Sequence, residues 1–267
     1  MIVVRNGCFI LKADIDTLII FTMLKERFRI GTVLLIAAIL AALAIGLMVF
    51  GARFGLWEPI VGFRLVRTYM NPVAYGVVGF GVAGLVYQLA VRNHEGAIKA
   101  FIASLIGLGL LTPMIYEQIK PSVSFPPIHD ISTNTSNPPI FITLDDHRPG
   151  AKNTLVYGGP EVAAQQRKAF PDIKPIQSNK SPADAFSEAL RVAKAMGWEI
   201  VAKDPDHLRI EATARTPVYR FVDDVVVTVS PVDGGSRIDI RSVSRIGRGD
   251  RGVNAMRIRK FIKAFEP

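Results

Sequence analysis

Adjacent carboxylates at Asp223 and Asp224 are the first residues in this chain whose types and spacing could do chemistry. Such a pair can share general acid and base roles, or bind a cation through oxygen. The surrounding run reads as a strand, however, and successive strand side chains point to opposite faces. The two acids converge only if the backbone bulges. Their other role is strand entry, each acid accepting hydrogen bonds from nearby arginines. Glu211, Arg241 and Arg245 offer a second constellation on one sheet face, to which Ser242 and Ser244 would add hydroxyls. Guanidinium–carboxylate pairing at a sheet centre suits an anion site or a purely structural network. Glu211, Asp223, Asp224, Arg241 and Arg245 together make the polar cluster that an enzyme would use.

Other chemistries lack their residues. The four histidines, His94, His129, His147 and His207, show neither HxxxH nor HExxH spacing, so no metal is expected. There is no GxSxG elbow or Walker-type loop; Gly158-Gly159-Pro160 and Gly234-Gly235 read as turns, and no cofactor is expected. The single cysteine, Cys8, excludes a disulfide framework within one chain. The C-terminal end is strongly basic through Arg248, Arg251, Arg257, Arg259, Lys260 and Lys263. Anionic lipid headgroups are one partner for it. A solvated face paired with Asp239 and Asp250 is another outcome, and nucleic acid is not expected without aromatic interleaving.

The elements that must position these groups can be read from periodicity. Ser181 caps a helix with Pro182 at its first position and Asp184 in its first turn, ending at Gly197. Strands follow at 198–202, 208–214, 218–229 and 236–244, with Asp233-Gly234-Gly235 turning a hairpin. Asp250 serves as N-cap or first-turn acid for a final helix over 252–265, and Asn254 bonds back into the loop. A short strand is expected at 140–144. The predicted fold is α+β, an antiparallel sheet of about four to five strands with two helices packed on one face.

Before residue 118 the composition changes. The whole chain has 267 residues, 49% hydrophobic, with net charge +9 and mean hydropathy +0.29. The apolar excess falls in three charge-free runs, 30–50, 72–91 and 100–116. About 20 helical residues cross a hydrocarbon core, with roughly 17–25 tolerated, so all three are candidate transmembrane spans. Without intramembrane ionisable groups a transport path is disfavoured. Gly76, Gly79, Gly81, Gly84, Gly107 and Gly109 suit close helix contact instead. Basic residues before the first span, with Arg92 and Lys99, outweigh Arg53, Arg64, Arg67 and Lys120. That asymmetry predicts a cytoplasmic N-terminus and a C-terminal domain on the other side. Met23 followed by Lys25-Glu26-Arg27-Phe28-Arg29 reads as an alternative translation start, against an amphipathic cytoplasmic tail. The expected organisation is a tail over 1–29, a three-helix anchor over 30–117, a Pro/Ser/Thr/Asn-rich linker over 118–140 and an α+β domain over 141–267.

The C-terminal half also carries an ordered set of motifs that match a known family. The matching residues are Phe170-Pro171-Asp172-Ile173, Gly197-Trp198-Glu199-Ile200-Val201, Arg209-Ile210-Glu211-Ala212-Thr213, Asp223-Asp224-Val225-Val226-Val227, Ser242-Val243-Ser244-Arg245-Ile246-Gly247 and Asp250-Arg251-Gly252-Val253-Asn254-Ala255 with Arg257-Ile258-Arg259. With these residues the chain resembles a family of bacterial and plastid domains of unknown function, DUF1499, and Pro127-Ile128-His129-Asp130-Ile131-Ser132-Thr133 resembles the start of its domain. Phe170 stands where tyrosine is expected, and Arg248 where a small residue is commoner. The resemblance implies a domain often attached to membrane spans and carries no catalytic role onto any residue.

These readings predict a multi-pass protein of a bacterial inner membrane with its α+β domain in the periplasm, binding membrane lipids or envelope protein partners. An envelope enzyme using the polar cluster and a structural subunit of a membrane complex are the alternatives.

Overall fold

A computed structural model describes residues 13–120 and 124–265, and the chain divides into two compact units, 1–122 and 123–267. The expected tail over 1–29 falls partly on residues 1–12, which lie outside the described residues. So do residues 121–123 of the expected linker.

The first unit is three helices: α1 (Ala13–Phe50), α2 (Pro59–Ala90) and α3 (His94–Ile119), with a 3-10 turn at Gly51–Phe54. Segments Arg29–Phe54, Pro59–Ala90 and His94–Ile119 are each long and apolar enough to cross a membrane. Each helix outruns the apolar stretch that marks it in the sequence. Arg64 and Arg67, expected in a loop, lie within α2, and Pro72 sits inside that helix rather than at its start. A charge-free count finds the apolar centre, while helical hydrogen bonding continues past it. Small residues permit the closest contacts: a Cβ on Gly31 would strike the backbone of Gly96, and one on Gly81 would strike Ser104. Gly84 and Gly107 are similarly crowded, whereas Gly76, Gly79 and Gly109 face open space, against expectation. Asn93 caps α3 by accepting from the N–H of Gly96 at 3.2 Å.

The second unit is a six-stranded antiparallel sheet. Its strands are β1 (Asp130–Ser132), β2 (Ile176–Ser178), β3 (Glu199–Asp204), β4 (Arg209–Arg215), β5 (Val222–Val232) and β6 (Gly235–Ser244). They run in the order β1-β6-β5-β4-β3, with β2 also paired to β6. Val232 pairs with Gly235, so Asp233-Gly234 is the two-residue hairpin turn, with Gly234 at φ +80° where a side chain is strained. Two expectations are corrected. Asp130–Ser132 belongs to the sheet rather than to a linker, and 140–144 forms no strand. Gly158-Gly159-Pro160 opens a further helix, α4 (Gly159–Ala169), instead of forming a turn.

Alternation splits the sheet into two different faces. Ile210, Ala212, Val225, Val227, Val229, Ile238 and Ile240 point to one side and meet α5 (Pro182–Ala195) and α6 (Val253–Phe265). Ala185, Phe186, Ala189, Val192, Ile258, Phe261 and Phe265 complete that core, and Trp198 stacks on Phe261 at 5.4 Å between ring centres. α4 guards the outer edge of β1: the Gln166 amide donates to the carbonyl of Ser132 at 2.6 Å and accepts from its N–H at 2.9 Å. An edge strand so capped cannot template further pairing there.

Helix packing in the first unit predicts a contrast between two glycines. Gly81→Val should destabilise the detergent-solubilised protein by about 1–3 kcal/mol through overpacking against Ser104. Gly79→Val, with nothing in its way, should melt within a few degrees of the parent. Thermal denaturation of the two variants checks this, and equal effects would refute the packing.

Candidate functional site

The face of the sheet away from α5 and α6 is polar, and its register builds the cluster. Glu211, Val226 and Arg241 lie directly across from one another on β4, β5 and β6, and Thr213, Asp224 and Val243 form the next row. Arg245 extends the same face, and β1 adds Asp130 opposite Val243. Asp223 belongs to the other face, as strand alternation requires. Ser242 and Ser244 also lie there, so the expected hydroxyl contribution to the Glu211–Arg241–Arg245 face is not made.

Residues 133–157 cover this polar face as an irregular segment, and buried charges fasten it. Glu211, fully buried, accepts the N–H groups of three successive residues: Ile142 at 2.6 Å, Thr143 at 3.1 Å and Leu144 at 2.7 Å. Three convergent N–H groups form an anion-binding nest. Those donors are the ones a strand over 140–144 would have spent on a neighbour, which is why no strand forms. Arg241, also fully buried, donates to both oxygens of Asp130 at 2.9 and 2.7 Å. Its remaining donors reach the carbonyls of Pro139 at 3.1 Å and Leu155 at 2.7 Å. The guanidinium also lies against the rings of Phe141 and Tyr157, 5.5 and 5.3 Å from their centres.

Asp224 is the third anchor. It receives Arg148 Nε from the covering segment, Arg245 through Nε at 3.0 Å and Nη2 at 2.8 Å, and the Thr213 hydroxyl at 3.2 Å. Arg245 also donates to the carbonyl of Pro149 at 2.8 Å, and its own carbonyl accepts from Lys152 and Asn153. Burial pushes the carboxyl of Asp130 above its ordinary range, against the pull of Arg241. The phenol of Tyr157 is pushed up to about 12, chiefly by burial and then by the charge of Asp130.

On the helical side, a second network ties α6 to the sheet. Asp223 pairs with Arg257 Nη2, while Arg257 Nη1 reaches the Ser242 hydroxyl at 3.0 Å and Asn254 Oδ1. Asn254 Oδ1 also accepts from Ser242 at 2.7 Å, and its amide nitrogen donates to Ser244 Oγ at 2.9 Å and the carbonyl of His129 at 3.0 Å. Asp250 accepts the N–H groups of Gly252 at 2.9 Å and Asn254 at 2.6 Å, its expected role before the final helix. Burial raises its carboxyl's pKa, with those two N–H groups pulling the other way.

The predicted site residues therefore separate into two networks. Glu211, Asp224, Arg241 and Arg245 share the outer face, and Asp223 stands behind them with α6. Of the predicted basic group, Arg257 is buried in its pair with Asp223 and does not reach the surface. Arg259 pairs with Asp172 and lies 5.5 Å from the ring centre of Phe170. Arg248, Arg251, Lys260 and Lys263 are exposed, with no carboxylate partner among the described residues. Sequence reasoning missed Asp130, Arg148 and the backbone donors of 142–144, because their partners are far away in the chain. Only the stretch from Pro127 to Thr133, singled out by resemblance, pointed towards Asp130.

Chemically, the arrangement leaves these carboxylates occupied by donors from the protein itself. No group of three or more His, Cys, Asp or Glu that could hold a metal occurs among the described residues. Cavities lie beside these networks among the described residues. One, of about 480 Å³, is lined by Pro127, Ile128, His129, Val156, Val162 and Arg248 among others. Another, of about 490 Å³, lies at the Arg209 end of the polar face.

Residues 130–265, about half the chain, match the model of a family described as a protein of unknown function, DUF1499. No curated protein matches the chain.

The Glu211 nest makes a local prediction. Glu211→Ala strips the acceptor from three N–H groups and should destabilise the domain by at least about 3 kcal/mol. Amide exchange at 142–144 should accelerate far more than exchange within α6. Hydrogen exchange followed by mass spectrometry distinguishes this from a uniform loss of protection, which would refute the nest as the anchor.

Proposed function

Because the chain belongs to the DUF1499 family, to which its family description assigns no activity, we propose a function from the surfaces its own fold leaves open. The protein is a multi-pass component of a bacterial inner membrane, and residues 123–267 form a periplasmic binding module that docks on anionic lipid. The observation that carries this reading is the stripe along α6. Gly252, Met256, Lys260 and Lys263 follow one another at helical spacing, with Phe125 against Gly252 at one end. Phe125 and Met256 are exposed at 39% and 50%, large apolar side chains beside the cations Arg251, Lys260 and Lys263. Apolar groups among uncompensated basic ones are the composition of a membrane-interface contact, each basic residue near an anionic surface contributing about 1 kcal/mol.

The connection supports the same reading. Phe125 follows Lys120, the C-cap of α3, by five positions in the sequence. Docking onto the bilayer that holds α3 is then an intramolecular event, favoured by effective concentration without new contacts. An enzyme built on Glu211, Asp223, Asp224, Arg241 and Arg245 gains no support, since each carboxylate already holds its donors. The orientation rests on the basic residues around the spans.

Hydrogen exchange of the full chain in nanodiscs tests the docking. Amides of α6 should exchange more slowly in discs of anionic lipid than of zwitterionic lipid, and Lys260→Glu with Lys263→Glu should remove that difference. Identical exchange in both lipids would overturn it. Orientation is checked by protease treatment of cells whose outer barrier has been opened. The C-terminal domain should be digested, and full protection would reverse the topology.

A further inference from the structure

The polar face of the sheet is saturated at one end and unsaturated at the other. Around Glu211, Asp224 and Arg241 the charged groups hold one another, Asp130 and the covering segment. The register continues past this region to Arg209, Thr228 and Asp239 in one row, with Ser230 and Arg237 in the row beyond. Here the covering segment stands off, and Asn134, Asn137 and Ile140 form the opposite wall of a cavity of about 490 Å³.

Arg209 is the group out of balance. Its Nη1 donates to the carbonyl of Ile140, but its Nε is buried with no hydrogen-bond partner. No carboxylate lies within ion-pair distance of it among the described residues, unlike Arg241, Arg245 and Arg257 on their acids. Buried donors are seldom left unsatisfied, and an exception calls for an explanation, an acceptor among them. Arg237 lines the same cavity; its Nε and Nη2 are held by Asp239 at 2.8 and 3.2 Å. Thr228 and Ser230 add hydroxyls to the floor, and the Asn137 side chain lines the wall. Asp239 offsets the charge of Arg237, and the nearby His207 is tied to Asp204 at 2.7 Å. Over the side chains that line it, Arg209 and Arg237 against Asp239 leave one formal positive charge, among hydroxyls and amides, while Asp204 stands across from Arg209 in the strand register and is bound to His207.

We propose that this cavity binds an oxyanion, the phosphate or carboxylate of a small polar molecule, with Arg209 as its principal ligand and Arg237 as the second. The guanidinium edge presents N–H groups in a geometry that matches such oxygens, and hydroxyls and amides take the remaining lone pairs. Strands two apart in a sheet are separated by about 10 Å, so two arginine side chains on β4 and β6 can flank one group between them. The site is distinct from the α6 stripe and does not depend on bilayer docking.

Calorimetric titration of the full chain in a non-ionic detergent tests the site, with inorganic phosphate, acetate and glycerol 3-phosphate as separate probes. At least one probe should bind saturably at a single site. Preference for glycerol 3-phosphate would indicate a headgroup-like ligand, preference for inorganic phosphate a free anion, and preference for acetate a carboxylate. Arg209→Gln should weaken that binding about tenfold or more, the loss of one charge-assisted contact, and Arg209→Lys should weaken it less. Arg237→Gln is the second variant, decisive if Arg209→Gln fails to fold by circular dichroism. Absence of saturable binding by all three probes up to about 10 mM, weaker than any useful affinity, would overturn the proposal. So would unchanged binding in a folded arginine variant. Loss of α6 protection in nanodiscs leaves this result unaffected, so the two readings fail separately.

Discussion

Buried charge on the outer face of the sheet is the constraint on which the domain depends. A carboxylate or guanidinium removed from water costs several kcal/mol unless its partners replace the lost hydration. Glu211 and Arg241 are wholly buried at the centre of that face, and neither is paired with the other. Each is satisfied instead by the covering segment: Glu211 by three backbone N–H groups, and Arg241 by two carbonyls in addition to Asp130. The segment is irregular because its hydrogen-bonding groups are committed to these side chains. Its own polar backbone is in turn satisfied without becoming a strand or helix, the condition for burying any loop. Sheet and segment thus solve one another's problem, and removing either half leaves the other with unpaired charge or unpaired amides.

This dependence explains what the sequence discloses and what it conceals. Strands β3 to β6, helices α5 and α6 and the Asp233-Gly234 turn are legible because their signals are local: alternation, a Ser181 cap, a turn dipeptide. The covering segment is opaque for the opposite reason. Ile142 meets Glu211 across 69 positions, and Arg241 meets Asp130 across 111. The brief apolar run at 140–144 mimics a strand because Phe141 and the residues beside it are apolar, yet Phe141 packs on a guanidinium rather than in a sheet core. The short strand β1 was hidden among prolines for a similar reason: three residues carry no period of their own.

The five candidate catalytic residues were legible as a polar cluster and illegible as to purpose. Alternation alone sends Asp223 and Asp224 apart, and the structure bears that out. What alternation could not say is that each would meet arginines from separate elements, Arg257 from α6 and Arg148 from the covering segment. Adjacent acids in a strand therefore serve as two rivets through the sheet, one fastening a helix behind it and the other fastening the segment in front. In the first unit the glycines behave likewise. Their abundance was plain, but which of them meet a neighbour is decided by helix rotation, which Gly81 and Gly79, two positions apart, place on different sides.

Saturation also locates what remains free to act. Where an arginine already holds an acid, as Arg245 holds Asp224 and Arg237 holds Asp239, a ligand must share the guanidinium with that partner or displace it. Where it does not, binding begins without that cost. Two of the places where cations have no acid within reach, the α6 stripe and Arg209, differ in kind. On the stripe the charges are spread, solvated and accompanied by Met256 and Phe125, so they suit a broad anionic surface and weaken with salt. At Arg209 the donor is buried and single, so it suits one group of fixed geometry. The same sheet that spends its carboxylates on its own architecture leaves its recognition chemistry to arginine and lysine.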